Sequence, residues 1–172
     1  IARLILARAP ASRLLPAQVF AAGQPASALA VAAGIDWCVE RGARIINLSL
    51  GLLEDRAALR ESCRAAAARG VLLVASRAAR GKPTYPAAYP EVLAVSGDAR
   101  CAEDEYSSIS DENFFGASPQ PPAGYPGGGA SYAAGRISGL AAAFFADNPA
   151  ADVPCFLRHL HTIACYHGRE QR

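Results

Sequence analysis

The stretch "ARIINLSLG", residues 43 to 51, decides the fold. It is a short, nearly continuous apolar run closed by Gly51. A strand with one wet face alternates apolar and polar side chains, and a strand buried on both faces does not. The run therefore predicts a strand inside a sheet. On its N-terminal side, "ASALAVAAGIDWCVERG" (26–42) sets Leu29, Ala33 and Trp37 at helical spacing and stops at Gly42, a residue suited to the turn that ends a helix. On its C-terminal side, "EDRAALRESCRAAAARG" (54–70) is a second helical run, ended by Gly70. Two more buried-strand patterns follow, "VLLVAS" (71–76) and "VLAVSGD" (92–98).

Helix and strand thus alternate with short connections. This predicts an α/β fold with a mostly parallel sheet and helices on both faces, because right-handed crossovers place them there. In such sheets function collects at the carboxyl ends of the strands. Those ends are "SLGLLED" (49–55), "ASRAARGKPTYPAAYP" (75–90) and "SGDARCAEDEYSS" (96–108). "IARLILARA" (1–9) reads as the tail of a helix, and "RLLPAQVF" (13–20) as an extended strand end or edge because of Pro16. Residues 99–130 are rich in Gly, Pro, Ser and acidic side chains, an irregular stretch of the kind that is more often functional than idle. A long helix is expected from Ser131 to about Asp147, and a last helical segment over "DVPCFLRHLHTIACYH" (152–167).

The 172 residues suit a single domain, 1–172, with a sizeable core. The composition, 52% hydrophobic and 19% charged, is globular rather than disordered. A net charge of +2, with scattered arginines, gives no reason to expect nucleic acid as a partner, and no apolar run reaches the length of a membrane span. No methionine is present, and Ile1 falls within a helical pattern, so the chain is expected to be a piece with polypeptide upstream of it. Cys38, Cys63, Cys101, Cys155 and Cys165 are odd in number and contain no C-x-x-C pair. They are expected to be buried or half-buried free thiols, which leans toward a reducing, cytoplasmic compartment.

The chemistry-bearing motif is "GGGASYAAGRISGLAAAFF" (127–145). Ser131 suits the N-cap of a helix, where its hydroxyl accepts backbone N–H groups. It also suits a nucleophile. Glycines let a substrate backbone approach, and a helix N-terminus stabilises negative charge. The spacing "GASYA" comes near the nucleophile elbow G-x-S-x-G, but that motif needs a strand directly before the serine, and "PPAGYPGGG" (121–129) cannot be a central strand.

Together these segments resemble the subtilisin-like serine proteases, from Ile1 to the end of the Ser131 helix. Gly129-Ala130-Ser131-Tyr132-Ala133-Ala134 through Gly139 stands where the family has Gly-Thr-Ser-Met-Ala and its nucleophile helix. "GARIINLSLG" (42–51) resembles the family strand ending in Ser-Leu-Gly, and "GVLLVAS" (70–76) with "YPAAYPEVLAVSG" (85–97) resembles the next two strands and the Tyr-Pro loop. The resemblance implies peptide-bond hydrolysis with Ser131 as nucleophile and a peptide or protein as substrate. It implies that substrate is bound by Ser49, Leu50 and Gly51 on one side and by Ser76, Arg77 and Ala78 on the other. No cofactor is implied. The family's Asp and His precede the serine. "Ile1-Ala2-Arg3" resembles the helix start that follows the family's His, so both are expected in an upstream segment.

Some positions depart from the family. Ala79 stands where the family has the oxyanion-hole Asn, and alanine has no side-chain donor. Loss of one such donor lowers turnover by about 10² to 10³, a magnitude that comes from subtilisin itself. Gly135 and Arg136 replace the family's Pro and His, and Tyr132 its Met. The alternative reading is therefore a pseudoprotease that binds peptide, for example in peptide maturation. Arg77, where the family has small residues, is expected either to plug the pocket for the residue before the scissile bond (P1) or to favour an acidic one. His159, His161 and His167 lack zinc spacing and read as packed or surface residues. Glu103, Asp104, Glu105 and Asp111 lack EF-hand spacing and read as a solvated loop. No metal site is expected.

Overall fold

The computed structural model describes residues 1–20, 23, 26–110 and 113–170. Its elements are α1 (Ala2–Arg8), α2 (Ala28–Glu40), β1 (Ile45–Leu48), α3 (Ala57–Ala68), β2 (Leu72–Ser76), β3 (Leu93–Gly97), β4 (Tyr106–Ser108), β5 (Phe114–Ala117), α4 (Ala130–Asp147), α5 (Val153–Thr162) and β6 (Tyr166–His167). The sheet order is β1-β2-β3-β5-β4-β6. All neighbours run parallel except β4 and β5.

The helices cover both faces, and the strands show why their sequences are continuously apolar. Ile46 and Leu48 of β1, with Leu73 and Ala75 of β2, point into a core closed by α2 and α3 through Ile35, Leu59 and Cys63. Leu72, Val74, Leu93, Val95 and Phe115 point the other way, into a core closed by α4 and α5 through Ile137, Leu140 and Phe156. Each fully buried Leu, Val or Phe contributes about 1.5–3 kcal/mol, so neither face tolerates a polar stripe. α2 starts on Ser27, whose hydroxyl accepts from the Ala30 N–H at 3.1 Å. Gly42 and Gly70 follow α2 and α3 with φ of 76° and 77°, the left-handed turn that glycine makes freely.

α1 lies directly on α4. A Cβ on Gly139 would sit 3.1 Å from Arg8 Cβ and 3.2 Å from Leu4 O, and one on Gly135 would meet Ile1 at 3.2 Å. Glycines at this i, i+4 spacing let the two helix axes approach closely.

Four expectations are corrected. Residues 13–20 join no strand and make no backbone hydrogen bond to a described residue. The stretch 99–130 is not wholly irregular: it holds β4 and β5, both fully buried. The last helix ends at Thr162, and Tyr166–His167 pairs with β4 instead. Cys165 is exposed, whereas Cys38, Cys63 and Cys101 are buried and Cys155 is half-buried.

Candidate active site

The glycines before Ser131 sit at the carboxyl end of the sheet. Gly129 N–H donates to Pro119 O at 2.8 Å, just past the end of β5. A Cβ on Gly97, the last residue of β3, would meet Pro119 at 2.8 Å and the Gly129 carbonyl carbon at 3.7 Å. Gly127 and Gly129 hold φ of 88° and 132°, which an L side chain rarely adopts. Gly129, and not Ser131, occupies the N-cap of α4, so Ser131 is the second helical residue. This corrects the capping alternative: the cap position makes no side-chain hydrogen bond. The Tyr132 and Ala133 N–H groups turn back to Gly129 O at 3.1 and 3.4 Å. The amides of Ala130 and Ser131 have no partner among the described residues. Two such N–H groups at a helix start, beside a half-buried serine, form a setting in which an oxyanion is stabilised.

The family's methionine position has a structural role here. Tyr132 OH donates to Pro126 O at 3.2 Å and braces the glycine loop from the helix side. Arg3 Nη1 donates to Tyr125 OH at 2.9 Å and ties the same loop to α1. Arg136, buried in α4, donates from Nη2 to Gln120 O at 3.1 Å and Glu103 Oε1 at 3.2 Å.

The expected substrate-binding residues fall on two adjacent strand ends. Ser49, Leu50 and Gly51 continue from β1 toward an antiparallel bridge between Leu52 and Tyr85. Gly51 packs closely there: a Cβ would come 3.0 Å from Thr84 Cβ, and Thr84 would have to give way. Ser49 Oγ accepts from Asn47 Nδ2 at 2.8 Å. Ser76 closes β2, and Arg77 N–H donates to Val95 O at 2.8 Å, so Ser76 and Arg77 stand beside the end of β3 that carries Gly97. Ala78 and Ala79 are exposed. The Arg77 guanidinium stacks on the Phe114 ring at 4.5 Å, with Arg169 at 5.9 Å from the same ring. A polar link absent from the sequence reading joins α4 to β1: Ser138 Oγ donates to Asn47 Oδ1 at 3.1 Å. Its signal was the lone amide in "RIINLSL".

The histidines lie elsewhere. His161 Nδ1 shares a hydrogen bond with Ser108 Oγ at 3.0 Å and its ring packs on Phe115. His159 stacks on Phe144, and His167 lies in β6. The acidic loop is spoken for: Glu103 holds Arg136, Asp104 faces Arg8 at 3.7 Å, and Glu105 Oε2 accepts from the Ala102 N–H at 2.9 Å. Asp111 lies outside the described residues. Among the described residues no three His, Cys, Asp or Glu gather as a metal site, and no helix is long and apolar enough to cross a membrane.

A mostly parallel sheet, with a glycine-led serine helix at its carboxyl end, defines a subtilisin-like α/β protein. Comparison with known proteins agrees: residues 3–160 match the model of the subtilase family, and the chain belongs to that family. It is 30% identical to M-protease of Shouchella clausii (strain KSM-K16), covering 93% of this chain and 45% of that protein. It is equally 30% identical to Subtilisin Savinase of Lederbergia lenta, covering 93% of this chain and 63% of that protein. The chain thus spans roughly half the length of these relatives. Among solved structures, the prenylagaramide maturation protease PagA superposes with a TM-score of 0.59 at 25% identity, covering 74% of this chain and 53% of PagA. Sphericase superposes with a TM-score of 0.63 at 20% identity over 84% of this chain and 57% of its own, a likeness of fold.

Proposed function

We propose that this chain is the nucleophile-bearing part of a subtilisin-type serine endopeptidase. Ser131 attacks the scissile carbonyl, and the Asp and His that activate it come from an upstream segment of the same protein. The observation that carries the reading is the site of Ser131: second residue of α4, after glycines packed on the end of β3, beside two helix-start amides that have no partner among the described residues. Serine alone is a weak nucleophile and needs a base. The substrate is a peptide or protein laid extended against Ser49, Leu50 and Gly51, with Ser76, Arg77 and Ala78 around the P1 side chain. Main-chain pairing supplies affinity and the pocket supplies selectivity.

A second reading has its own observation. Ala79 is exposed and has no side-chain donor, and the resemblance aligns it with the oxyanion Asn; this supports a pseudoprotease that binds peptide without cutting it. A role in peptide maturation suits either reading, and PagA carries that description in its name. The deciding experiment is an assay of the protein with its upstream sequence on casein and on a peptide library. Hydrolysis that Ser131→Ala abolishes supports the protease. Binding without hydrolysis in both forms supports the pseudoprotease. Hydrolysis that survives Ser131→Ala defeats both.

A further inference from the structure

The chain between Pro119 and Gly129 leads straight into Ser131 and has no core of its own, for residues 123–128 are exposed. Its backbone closes one turn, Tyr125 N–H to Pro122 O at 3.1 Å, and is tied back to the end of β5 by Gly129 N–H to Pro119 O at 2.8 Å. It ends in Gly127, Gly128 and Gly129. Glycine gives up more backbone freedom on ordering than any other residue, so three in a row keep one shape only if something outside them imposes it.

Side chains from two helices impose it. Arg136 of α4, itself buried, donates to Gln120 O at 3.1 Å where the loop begins, and Tyr132 of α4 donates to Pro126 O at 3.2 Å. Arg3 of α1 reaches in from 122 residues away: Nη1 donates to Tyr125 OH at 2.9 Å, and the guanidinium lies 5.4 Å from the centre of the Tyr125 ring. Tyr125 and Pro126 are adjacent, so α1 and α4 grip the loop side by side, immediately before the glycines. Tyr125 is 46% exposed, and Arg3 is the one side chain hydrogen-bonded to it among the described residues. An exposed contact of this kind adds little to the stability of the whole chain. Its effect is local: it sets where the loop stands against α1.

We propose that Arg3 is a positioning residue for Ser131: by clasping Tyr125 it fixes the glycine loop against α1, and so sets where the Ser131 hydroxyl stands relative to the helix into which the upstream segment leads. The catalytic consequence rests on the reading above, in which that segment brings the base; the clasp does not. A displacement of about 1 Å costs about 100-fold in a reaction that depends on alignment. Substrate pairing at Ser49, Leu50 and Gly51 belongs to a different strand end and is untouched by the clasp, so its loss lowers kcat and leaves KM in place.

The test compares Arg3→Ala, Arg3→Lys, Tyr125→Phe and the double variant Arg3→Ala/Tyr125→Phe in the protein with its upstream sequence. Arg69→Gln, at an exposed arginine that follows α3, is the control for lost charge. One readout is amide exchange and backbone relaxation at Gly127, Gly128 and Gly129; the other is kcat and KM on a peptide that the parent cleaves. In Arg3→Ala the Gly129 amide should exchange about tenfold faster, and the order parameters of Gly127 and Gly128 should fall below about 0.6, with the melting temperature unchanged. kcat should fall about tenfold or more, with KM within about twofold. Arg3→Lys keeps a cation over the ring and should recover part of both effects. The double variant should be no worse than Arg3→Ala, because both changes remove one contact. Unchanged glycines in Arg3→Ala and Tyr125→Phe overturn the proposal. So does a loosened loop with kcat intact, and so does an equal loss of kcat in Arg69→Gln, which assigns the effect to charge. If the parent cleaves no peptide, the protease reading falls by itself; a loosened loop then keeps the clasp, and an unchanged loop sinks both.

Discussion

Ser138 Oγ donates to Asn47 Oδ1 at 3.1 Å, and Asn47 Nδ2 in turn donates to Ser49 Oγ at 2.8 Å. One relay therefore links the Ser131 helix, the edge strand and the first proposed substrate-binding residue. Ser138 is 1% exposed, so its loss leaves the Asn47 oxygen facing a site that water reaches poorly. Ser138→Ala is expected to destabilise by about 1–3 kcal/mol. That is a melting-temperature drop of about 2–4 °C per kcal/mol at this chain length. Ser138→Ala combined with Asn47→Val should cost less than the sum of the two single changes. Strict additivity in thermal denaturation would mean that the two groups do not interact.

Ser131→Ala should separate chemistry from folding. The hydroxyl is half-buried and is not the cap of α4, so stability should change by no more than about 0.5 kcal/mol. Peptide hydrolysis by the protein with its upstream segment should be lost. Residues 1–172 alone should be inert, since no base bonds to the Ser131 hydroxyl among the described residues. Robust activity of that chain, removed by Ser131→Ala, would point to a base within it.

Arg77 tests the pocket assignment. Its guanidinium rests on Phe114, a contact of about 0.5–1 kcal/mol, and this holds a cation near the end of β2. A peptide array varied only at P1 should show a preference for Asp or Glu that Arg77→Ala removes. A preference for basic P1 residues, or an array unchanged by Arg77→Ala, would displace Ser76, Arg77 and Ala78 from the pocket.

Asp98 sets an acid limit. Burial by itself would push its carboxyl up, but the Arg100 side chain, the Ser107 hydroxyl and the Arg100 backbone N–H together hold it below the usual carboxylate value. Arg100 grips it from Nε at 3.0 Å and Nη2 at 2.8 Å. A carboxyl whose pKa is lower in the folded state stabilises the fold fully above about pH 3.9, and that contribution is lost as the pH falls through the folded value. Stability measured by denaturant between pH 6 and about pH 2 should fall with acid, and Asp98→Asn should be weaker at pH 6 with a flatter decline. Parallel curves for the two proteins would rule out Asp98 as a source of the slope.

Thiol labelling should follow burial. Burial, followed by the charges of Glu91 and Asp36, pushes the Cys63 thiol up to about 12, and burial does the same for Cys101. The thiolate is the reactive form. Iodoacetamide at mildly alkaline pH should therefore modify exposed Cys165 first and Cys155 next. Cys38, Cys63 and Cys101 should react only after unfolding. Early modification of Cys63 by intact-mass and peptide mapping would contradict the buried core around α3.

The central strands were legible because burial on both faces leaves a continuous apolar run, and Gly42 and Gly70 marked the helix ends. β4 was not. "YSS" is short and polar, and its burial comes from neighbours: Cys165 N–H donates to Tyr106 O at 2.8 Å, and β5 and β6 flank it. The motif at Ser131 was read from its glycines and the helix behind them. The cap at Gly129 was missed because its φ of 132° is set by contact with Gly97 and Pro119, segments distant in sequence. Residues 13–20 join no strand, because pairing depends on a neighbour that composition does not reveal.

The close crossing of α1 on α4 has a mechanical consequence. At Gly139 α4 meets the α1 backbone at Leu4 and Ile5, and at Gly135 it meets the Ile1 and Leu4 side chains, so there is little slack for one helix to slide along the other. Gly135 is one turn from Ser131. Ser131 is therefore indexed to Ile1 like a tooth to a pinion: a shift of the chain at Ile1 along the α1 axis would be handed on through Gly135 to the start of α4. An added methyl at Gly135 would wedge the gears apart, and its effect would register at the serine before it registered in the core.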